Sequence, residues 1–267
     1  MNFDDHDKHN FPLLSHPLDA ESVFTPQALI EAVRAEKGMI SVTVPEVCVL
    51  EFDGDLTDQL VRSNAVERWK TWACFHTPMF ALEVDGRQCG IVPRAIGGPF
   101  AVLVAEQLLA SGAKVIVGLT SAGRVSKRLP IPSLVIATGA IRDEGTSYHY
   151  LPPANSVEAR MNLIPSLLAE LGPLGLPVHR GMVWTTDAPY RETAQEIKMY
   201  AEQGVLAVEM QAASLFALAV MRNATIGVVA HVSNAIDHTG EPFDKGPETD
   251  GIRILKALCR AGLAVAS

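Results

Sequence analysis

The stretch GVLAVEMQAASLFALA, residues 204–219, joins a short apolar run to a longer apolar segment, with polar side chains at the junction. Leu206 to Val208 predict a buried strand, and Met210 to Val220 predict a helix that is buried on most sides. Glu209 and Gln211 stand where the strand meets the helix, and a carboxylate beside such a core is costly unless a donor hydrogen-bonds to it. The donor can belong to the protein, including the helix N-terminus, or to a polar ligand, and the pattern alone leaves both open.

Composition restricts the class of protein. The chain has 267 residues, of which 48% are hydrophobic, and a net charge of −8. These values predict one large core in a single compact domain and argue against a general nucleic-acid groove. The four cysteines form no zinc or disulfide pattern, so we expect a cytoplasmic location. The sequence predicts no membrane helix and no signal peptide. His6 and His9 lie in a terminus that we expect to fray, so we predict no bound metal.

Short β-branched runs alternate with longer helical patterns from Val47 onward, which is typical of an α/β fold around a mostly parallel or mixed sheet. The predicted strands are Val47 to Leu50, Met79 to Val84, Gln88 to Val92, Lys114 to Leu119, Ser133 to Ala137, Val178 to Thr185, Leu206 to Val208 and Thr225 to Val232. The predicted helices run from about Pro26 to Lys37, Pro99 to Ser111, Ser156 to Leu171, Arg191 to Gln203, Met210 to Arg222 and Pro247 to Leu263. In open α/β sheets, ligands bind in the loops at strand ends, so those loops hold the candidates for chemistry.

Three glycine-containing loops are candidates for this role. The loop GLTSAG, residues 118–123, follows a strand, and its backbone amides together with the Thr120 and Ser121 hydroxyls can turn toward one anion. The turn Asp53-Gly54-Asp55 also follows a strand, and Ile96-Gly97-Gly98-Pro99 precedes a helix. Such turns are also common without a ligand, so these motifs alone do not establish a binding site.

Two further loops carry side chains suited to a flat heterocycle. In residues 185–193, Tyr190 can stack on such a ring and Arg191 can donate to its carbonyl oxygens, although the segment also fits a helix cap. In residues 231–237, Asn234 offers a donor and an acceptor, which suits a base with keto groups. The titratable neighbours in this second loop are His231 and Asp237.

Residues 208–211, Val-Glu-Met-Gln, resemble the ribose-binding signature Val-Glu-Met-Glu of the nucleoside phosphorylase and nucleosidase superfamily. The glycine-containing loops and the loop at residues 140–153 also resemble those of uridine-phosphorylase-like members, and the resemblance extends from about Val47 to Val265. It implies an α/β fold: a single domain with a central mixed β-sheet, partly barrel-like, flanked by helices. It also implies an N-terminal arm and helix in subunit contact at residues 1–45, followed by a nucleoside phosphorylase-like domain at residues 46–267.

The resemblance implies a role for each candidate residue. The predicted ribose-binding residues are Glu209, Met210, Gln211 and, from a neighbouring subunit, His16. The predicted phosphate-binding residues are Gly54, Arg94, Thr120 and Ser121. The predicted base-binding residues are Tyr190, Arg191 and Asn234, of which Arg191 and Asn234 are also the predicted catalytic residues.

Several positions depart from the family pattern. Gln211 stands in place of a second Glu, and an amide cannot accept two charge-assisted hydrogen bonds from a sugar diol. Asp58 and Gly118 stand where bacterial phosphorylases have arginines that neutralise phosphate. Arg94 and Arg124 are the candidate replacements for those cations.

The resemblance implies a nucleoside phosphorylase that uses inorganic phosphate as its co-substrate and needs no other cofactor. Asn234 replaces an Asp that protonates adenine in some relatives, so a uridine-like pyrimidine or a 6-oxopurine is the expected base. Two alternatives stay open: a nucleosidase that uses water, and a catalytically silent nucleoside-binding protein. We expect no nucleic-acid or membrane partner, and a homo-oligomer whose minimal unit is a dimer and whose larger form is a hexamer.

Overall fold

The computed structural model of the protein describes residues 11–235 and 247–266, so His6, His9 and Asp237 lie outside the described residues. The described part contains seven α-helices and ten strands. The helices are α1 (Pro26–Lys37), α2 (Asp55–Arg62), α3 (Gly98–Ala110), α4 (Ile164–Leu171), α5 (Ala194–Glu202), α6 (Ala212–Met221) and α7 (Glu248–Ala266). The strands are β1 (Val47–Glu51), β2 (Glu67–Arg68), β3 (Phe80–Val84), β4 (Arg87–Pro93), β5 (Val115–Arg124), β6 (Ser133–Asp143), β7 (Ser156–Glu158), β8 (Val178–Thr186), β9 (Ala207–Glu209) and β10 (Thr225–Ala235).

All ten strands belong to one mixed sheet that closes on itself at one end. The strand order is β10-β6-β8-β9-β5-β1-β4-β3-β2, β7 pairs with β6, and β10 also pairs with β5. The five strands β10, β6, β8, β9 and β5 therefore form a small closed barrel, and β1 to β4 extend from it as an open sheet. This topology confirms the predicted α/β domain with a mixed, partly barrel-like sheet.

The apolar strands bury both faces of the sheet. In β1 every residue is buried, and its side chains alternate between two apolar clusters: Cys48 and Leu50 lie in one, and Val47 and Val49 in the other. This alternation follows from the two-residue period of a strand, and helices must therefore cover both sides. Helix α6, buried from Ala212 to Ala219, covers one of them, as its uniformly apolar sequence predicts.

The predicted helix from Ser156 to Leu171 is wrong in its first half. Residues Ser156–Glu158 form β7, which pairs with β6, and α4 begins only at Ile164. Pro165 lies in the first turn of α4. Because proline has a fixed φ and no backbone N–H, it suits the first turn of a helix and marks where α4 starts.

The sequence prediction misses helix α2. Gly54, with φ of 83°, turns the chain away from β1, and the helix follows immediately. Leu56, Leu60 and Val61 recur at helical spacing, so the pattern was present in the sequence, but the helix has only eight residues and the sequence prediction passed over it. Three strands are also longer than predicted: β5, β6 and β10 continue to Arg124, Asp143 and Ala235, because their extra residues complete pairings around the barrel.

The predicted boundary between residues 45 and 46 falls in the link between α1 and β1, and it stays a prediction. Helix α1 packs against α3, so the segment before the boundary contacts the domain in the same chain. Within residues 11–235 and 247–266, none of the helices combines the length and the apolar sequence that a membrane span requires.

Candidate functional site

The carboxyl ends of β1, β5 and β10 meet around a cavity of about 160 Å³, which we call the β1–β5 cavity. These three strands are parallel, so the residues at their ends lie side by side. The polar residues of its wall include Glu51, Asp53, Asp55, Arg62, Thr120, Ser121 and His231. The cavity therefore contains the predicted anion loop and places it against a group of carboxylates that the sequence prediction did not include.

The backbone N–H of Gly54 makes a hydrogen bond within the protein. Its N–H donates to Glu51 Oε1 at 2.8 Å, and Glu51 Oε2 accepts from the Thr57 hydroxyl at 2.9 Å and from the Thr57 N–H at 3.2 Å. Burial raises the pKa of Glu51 to about 7, although these hydrogen bonds lower it. The turn that was predicted to bind phosphate thus caps the buried Glu51 carboxylate, and its phosphate role stays a prediction.

The two hydroxyls of the anion loop are also engaged. Thr120 Oγ1 donates to the carbonyl of Ser121 at 2.8 Å, and Ser121 Oγ donates to Asp53 Oδ1 at 2.9 Å. A hydroxyl has one proton to donate. Both protons therefore go to acceptors of the protein in this arrangement.

Neither candidate replacement cation is among the described residues that line the cavity, although Asp58, and after it the Glu51 and Asp55 carboxylates, raise the pKa of Arg94. The Arg94 guanidinium pairs with Asp58 at 2.5 Å, and both side chains are about half exposed. Arg124 donates to the carbonyl of Leu129 at 3.3 Å. Asp58 stands where bacterial phosphorylases have an arginine. It thus pairs with Arg94, the residue that was predicted to replace that missing arginine.

Glu209 is an internal carboxylate. Its oxygens accept hydrogen bonds from the Thr185 hydroxyl at 2.5 Å, from the Gln211 N–H at 2.7 Å and from the Ala212 N–H at 2.9 Å. Burial raises its pKa to about 7, against the lowering effect of these donors. Glu209 thus anchors the first turn of α6, and its predicted contact with ribose stays a prediction.

Gln211 differs from Glu209 because one of its polar atoms is left over. Its Nε2 donates to Thr120 Oγ1 at 3.3 Å, which places it directly behind the wall of the β1–β5 cavity. Its Oε1 is buried and has no hydrogen-bond partner among the described residues, and the whole residue is 2% exposed. A buried acceptor without a donor is costly, so this position favours a ligand that donates. Met210 precedes it and is partly exposed.

The predicted base loop lies at a second cavity of about 480 Å³ at the ends of β6 and β8. Arg191 lines this cavity together with Trp184 and Asp187, whereas Tyr190 is 99% exposed. The helix-cap interpretation of the segment is correct for its end, since the Thr193 hydroxyl accepts from the Glu196 N–H at the start of α5.

Asn234 lies apart from that loop. It stands at the end of β10, pairs with Gly123 of β5, and accepts from the Ser233 hydroxyl at 3.4 Å. Within the described residues it does not line the cavity of Arg191. The structure thus brings Thr120, Ser121 and Gln211 together, and it does not bring Asn234 to Arg191.

His16 lies on another face of the same chain. Its ring centroid is 4.0 Å from that of His149, and both line a surface cavity with Glu106 and Tyr150. No contact joins His16 to Gln211 in the described part of one chain. Its predicted role in a neighbouring subunit stays a prediction.

Comparison with known proteins decides the family. The family model described as "Phosphorylase superfamily" matches residues 46–265, which is most of the chain. The chain belongs to the phosphorylase superfamily. The resemblance that the sequence motifs indicated is therefore confirmed.

Individual relatives of this superfamily member are distant. It is 27% identical to a guanosine phosphorylase of Halorubrum lacusprofundi over 55% of this chain and 61% of the relative, so the match spans about three fifths of that protein. It is 26% identical to a uridine phosphorylase of Thermococcus kodakarensis over 64% of this chain and 68% of the relative. A crystal structure of uridine phosphorylase from Vibrio fischeri superimposes with a TM-score of 0.66 at 20% identity, covering 85% of this chain and 94% of that one. This last likeness confirms the fold.

The sequence prediction for this superfamily member missed Glu51, and it named Asp53 only as part of the turn around Gly54, without a role of its own. Both stand at the end of β1, after the buried run Val47 to Leu50. A carboxylate that follows a buried strand was the signal that drew attention to Glu209, and the same signal was present at Glu51.

Proposed function

We propose that this protein cleaves the N-glycosidic bond of a nucleoside that carries a pyrimidine or 6-oxopurine base. The observation that carries the proposal is the buried, unpartnered Oε1 of Gln211, one hydrogen bond behind Thr120, in a member of the phosphorylase superfamily. A sugar hydroxyl is a donor of the right kind for this acceptor. The names of the relatives, guanosine phosphorylase and uridine phosphorylase, agree with a nucleoside substrate.

The chemistry requires opposite charges at the two ends of the bond. Cleavage builds positive charge on the sugar and negative charge on the departing base, so acceptors belong near the sugar and donors near the base. Gln211 provides an acceptor for a sugar hydroxyl, and Met210 precedes it in the chain. The Asn234 amide offers a donor and an acceptor to a keto base. Arg191 would reach the same base only if its loop closes from the second cavity.

Phosphorolysis is the second form of this proposal, and a specific observation favours it. The relatives are named as phosphorylases, and their reaction transfers the pentose to phosphate. In that form the protein is a pentosyltransferase with inorganic phosphate as its co-substrate.

The activity test uses the whole chain. We would incubate it with a panel of pyrimidine and purine nucleosides, with and without phosphate, and measure free base by chromatography. Release of base from uridine-like or 6-oxopurine nucleosides is the expected result. Absence of release from every nucleoside, while calorimetry shows that they bind, would replace the proposal with a silent nucleoside-binding protein.

We further propose a cytoplasmic homo-oligomer in which the N-terminal arm contacts a neighbouring subunit. The arm presents Val23 and Phe24 to solvent, and Leu103 and Met221 are exposed beside it around the same surface cavity. Apolar side chains grouped in this way are typical of a subunit contact. Analytical ultracentrifugation would test this: we expect a dimer or larger form, and Phe24→Ser should shift the equilibrium toward the monomer. A monomer at micromolar concentration would contradict it.

A further inference from the structure

Thr185 connects the end of β8 to the start of α6. It is fully buried and lies beside Glu209 in the parallel pairing of β8 with β9. Its hydroxyl donates to Glu209 Oε1 at 2.5 Å and accepts from the Ala213 N–H at 2.9 Å. A hydroxyl has one proton and two lone pairs, so Thr185 can make both hydrogen bonds at once. One buried side chain therefore links β8 and β9 to the first turn of α6.

The first turn of α6 is capped by these neighbouring strands. The first N–H groups of a helix have no partner within the helix. Those of Gln211 and Ala212 donate to Glu209 Oε2 at 2.7 and 2.9 Å, and that of Ala213 donates to Thr185. At many helix N-termini, the side chain of the residue just before the helix accepts such a hydrogen bond. Gln211 holds that place here, and its side chain makes no capping hydrogen bond.

Gln211 therefore has a backbone that is held in place and a side chain that the helix does not need. Its N–H donates to Glu209, its Nε2 donates to Thr120 at 3.3 Å, and its Oε1 is buried without a partner among the described residues. If this side chain capped the helix itself, the amide would turn back onto α6 and away from Thr120. Thr185 and Glu209 thus leave the acceptor available for the proposed sugar contact.

We propose that Thr185 is a positioning residue for the sugar contact of Gln211. This inference rests on the proposed cleavage of a nucleoside, because the contact requires a sugar hydroxyl at Gln211 Oε1. Thr185 itself touches no substrate in this assignment, since it is fully buried and its hydroxyl is shared between Glu209 and Ala213. It holds the first turn of α6 against β9 and so determines where the Gln211 amide lies relative to Thr120.

The Ser214 hydroxyl anchors α6 independently of Thr185. It donates to Glu144 Oε2 at 2.5 Å, and the helix is buried from Ala212 to Ala219. Loss of the Thr185 hydroxyl should therefore loosen the first turn without releasing the helix from the core. We expect a variant at Thr185 to keep its fold and to change the placement of Gln211.

The first test compares Thr185→Val with the unmodified protein in the base-release assay. Valine is close to threonine in shape and lacks the hydroxyl. We expect KM to rise about tenfold, the effect of losing one hydrogen bond, with kcat within about twofold, because a sugar contact made both before and during bond cleavage is lost. Thr185→Ser keeps the hydroxyl and should keep the KM of the unmodified protein. An unchanged KM in the valine variant, or an equally raised KM in the serine variant, would overturn the role of Thr185.

A double variant separates positioning from general damage to the fold. Gln211→Leu removes the acceptor that Thr185 positions, so adding Thr185→Val to it should raise KM no further. Independent effects would instead multiply to about 100-fold and would contradict the assignment.

Thr77→Val is the matched control. The Thr77 hydroxyl is also buried, and it donates to the Pro93 carbonyl at 2.9 Å, at the end of β4 in the open part of the sheet. This variant should keep the KM of the unmodified protein. A rise equal to that of Thr185→Val would show a general effect of removing a buried hydroxyl and would overturn the assignment.

The outcomes also distinguish this inference from the proposed function. An unmodified protein that releases no base from any nucleoside would overturn the proposed cleavage. Titration calorimetry with uridine and inosine would then give dissociation constants in place of KM, and the same comparison of variants would decide the role of Thr185. Absence of binding would overturn both. Base release with an unchanged KM in Gln211→Leu would overturn the sugar contact, and the positioning role with it.

Discussion

The side-chain amide of Gln211 donates to the Thr120 hydroxyl across 3.3 Å, and this contact joins the start of α6 to the cavity wall on β5. The carbonyl oxygen of the same amide is buried without a partner among the described residues. One side chain thus both connects two elements of the fold and leaves a costly acceptor unsatisfied. Stability and ligand binding should respond in opposite directions when this residue is changed.

Replacing Gln211 with Leu removes the unsatisfied acceptor at similar volume. A buried polar group without a partner costs about 1–3 kcal/mol, so we expect the melting temperature to stay the same or rise. Nucleoside affinity should fall about tenfold, the effect of losing one hydrogen bond. Thermal unfolding and titration calorimetry measure the two effects. Gln107→Leu is the control, because Gln107 Oε1 is also buried and unpartnered in the described structure but lies on α3. Its affinity should be unchanged, and equal affinities for both variants would contradict the sugar contact.

Glu209 predicts a pH dependence of stability. Its pKa is raised from 4.5 to about 7 in the folded protein by burial, so folding favours the protonated form. The stabilisation is complete below pH 4.5 and is lost as the pH rises toward 7. Glu209→Gln mimics the protonated acid and should flatten this part of the profile, by up to about 3 kcal/mol in the free energy of unfolding.

Urea unfolding between pH 4.5 and 7 measures this difference. Glu51 has a raised pKa for the same reason, so a smaller slope of the same sign should persist in the Glu209→Gln variant. A variant with the same slope as the unmodified protein would show that Glu209 does not titrate in this range.

The ion pair of Arg94 and Asp58 should be energetically weak. Both side chains are about half exposed, and exposed pairs contribute about 0–1 kcal/mol. A double-mutant cycle with Arg94→Ala and Asp58→Ala should give a coupling energy in that range that decreases with added salt. Since Arg94 does not line the β1–β5 cavity, Arg94→Ala should also leave the apparent affinity for phosphate unchanged in the base-release assay. A large loss of that affinity would return Arg94 to the cation role that the sequence suggested.

Gly54→Ala should be strongly destabilising for two separable reasons. Its φ of 83° is a left-handed conformation, and an added Cβ would lie 2.5 Å from Arg94 Cγ. Backbone strain alone costs about 1–3 kcal/mol. Gly86→Ala is the matched control, since Gly86 also has a positive φ, of 76°, but a Cβ there meets no described atom within 4 Å. We expect the larger loss in Gly54→Ala, measured by urea unfolding, and partial recovery when Arg94→Ala is added. Equal losses would mean that the arginine moves aside freely.

The sequence predicted secondary structure best where the pattern of apolar residues lies within a single helix or strand. The apolar run of α6 and the buried positions of β1 predicted both elements closely, because burial on all sides leaves a continuous apolar sequence. The last residues of β5, β6 and β10 were not predictable in the same way, because pairing around the barrel sets their conformation and is not visible in a local window. Helix α2 was missed although the Gly54 turn and its apolar spacing are both present in the sequence, since eight residues make only about two turns of helix.

In the candidate site, too, part of the arrangement could be predicted from the sequence and part could not. The motifs assigned Gln211 and Thr120 to one predicted site, and the structure joins these two residues by a hydrogen bond. They did not show which hydrogen bonds each residue makes. Glu209 and Gln211 look alike in sequence, yet one has all its oxygens occupied and the other has a free acceptor. That distinction depends on three-dimensional neighbours such as Thr185, which lies on another strand.

The closing of the barrel also affects how copies of this protein meet in concentrated solution. A ring of strands exposes no free backbone edge, so the open end of the main strand path lies at β2 and at the part of β3 that β2 does not pair. Strand β2 has only two residues, Glu67 and Arg68, both charged and exposed. Such a short charged end is a poor template for a strand from another molecule. We therefore expect resistance to fibril-like aggregation, and any association of copies should proceed through side-chain surfaces.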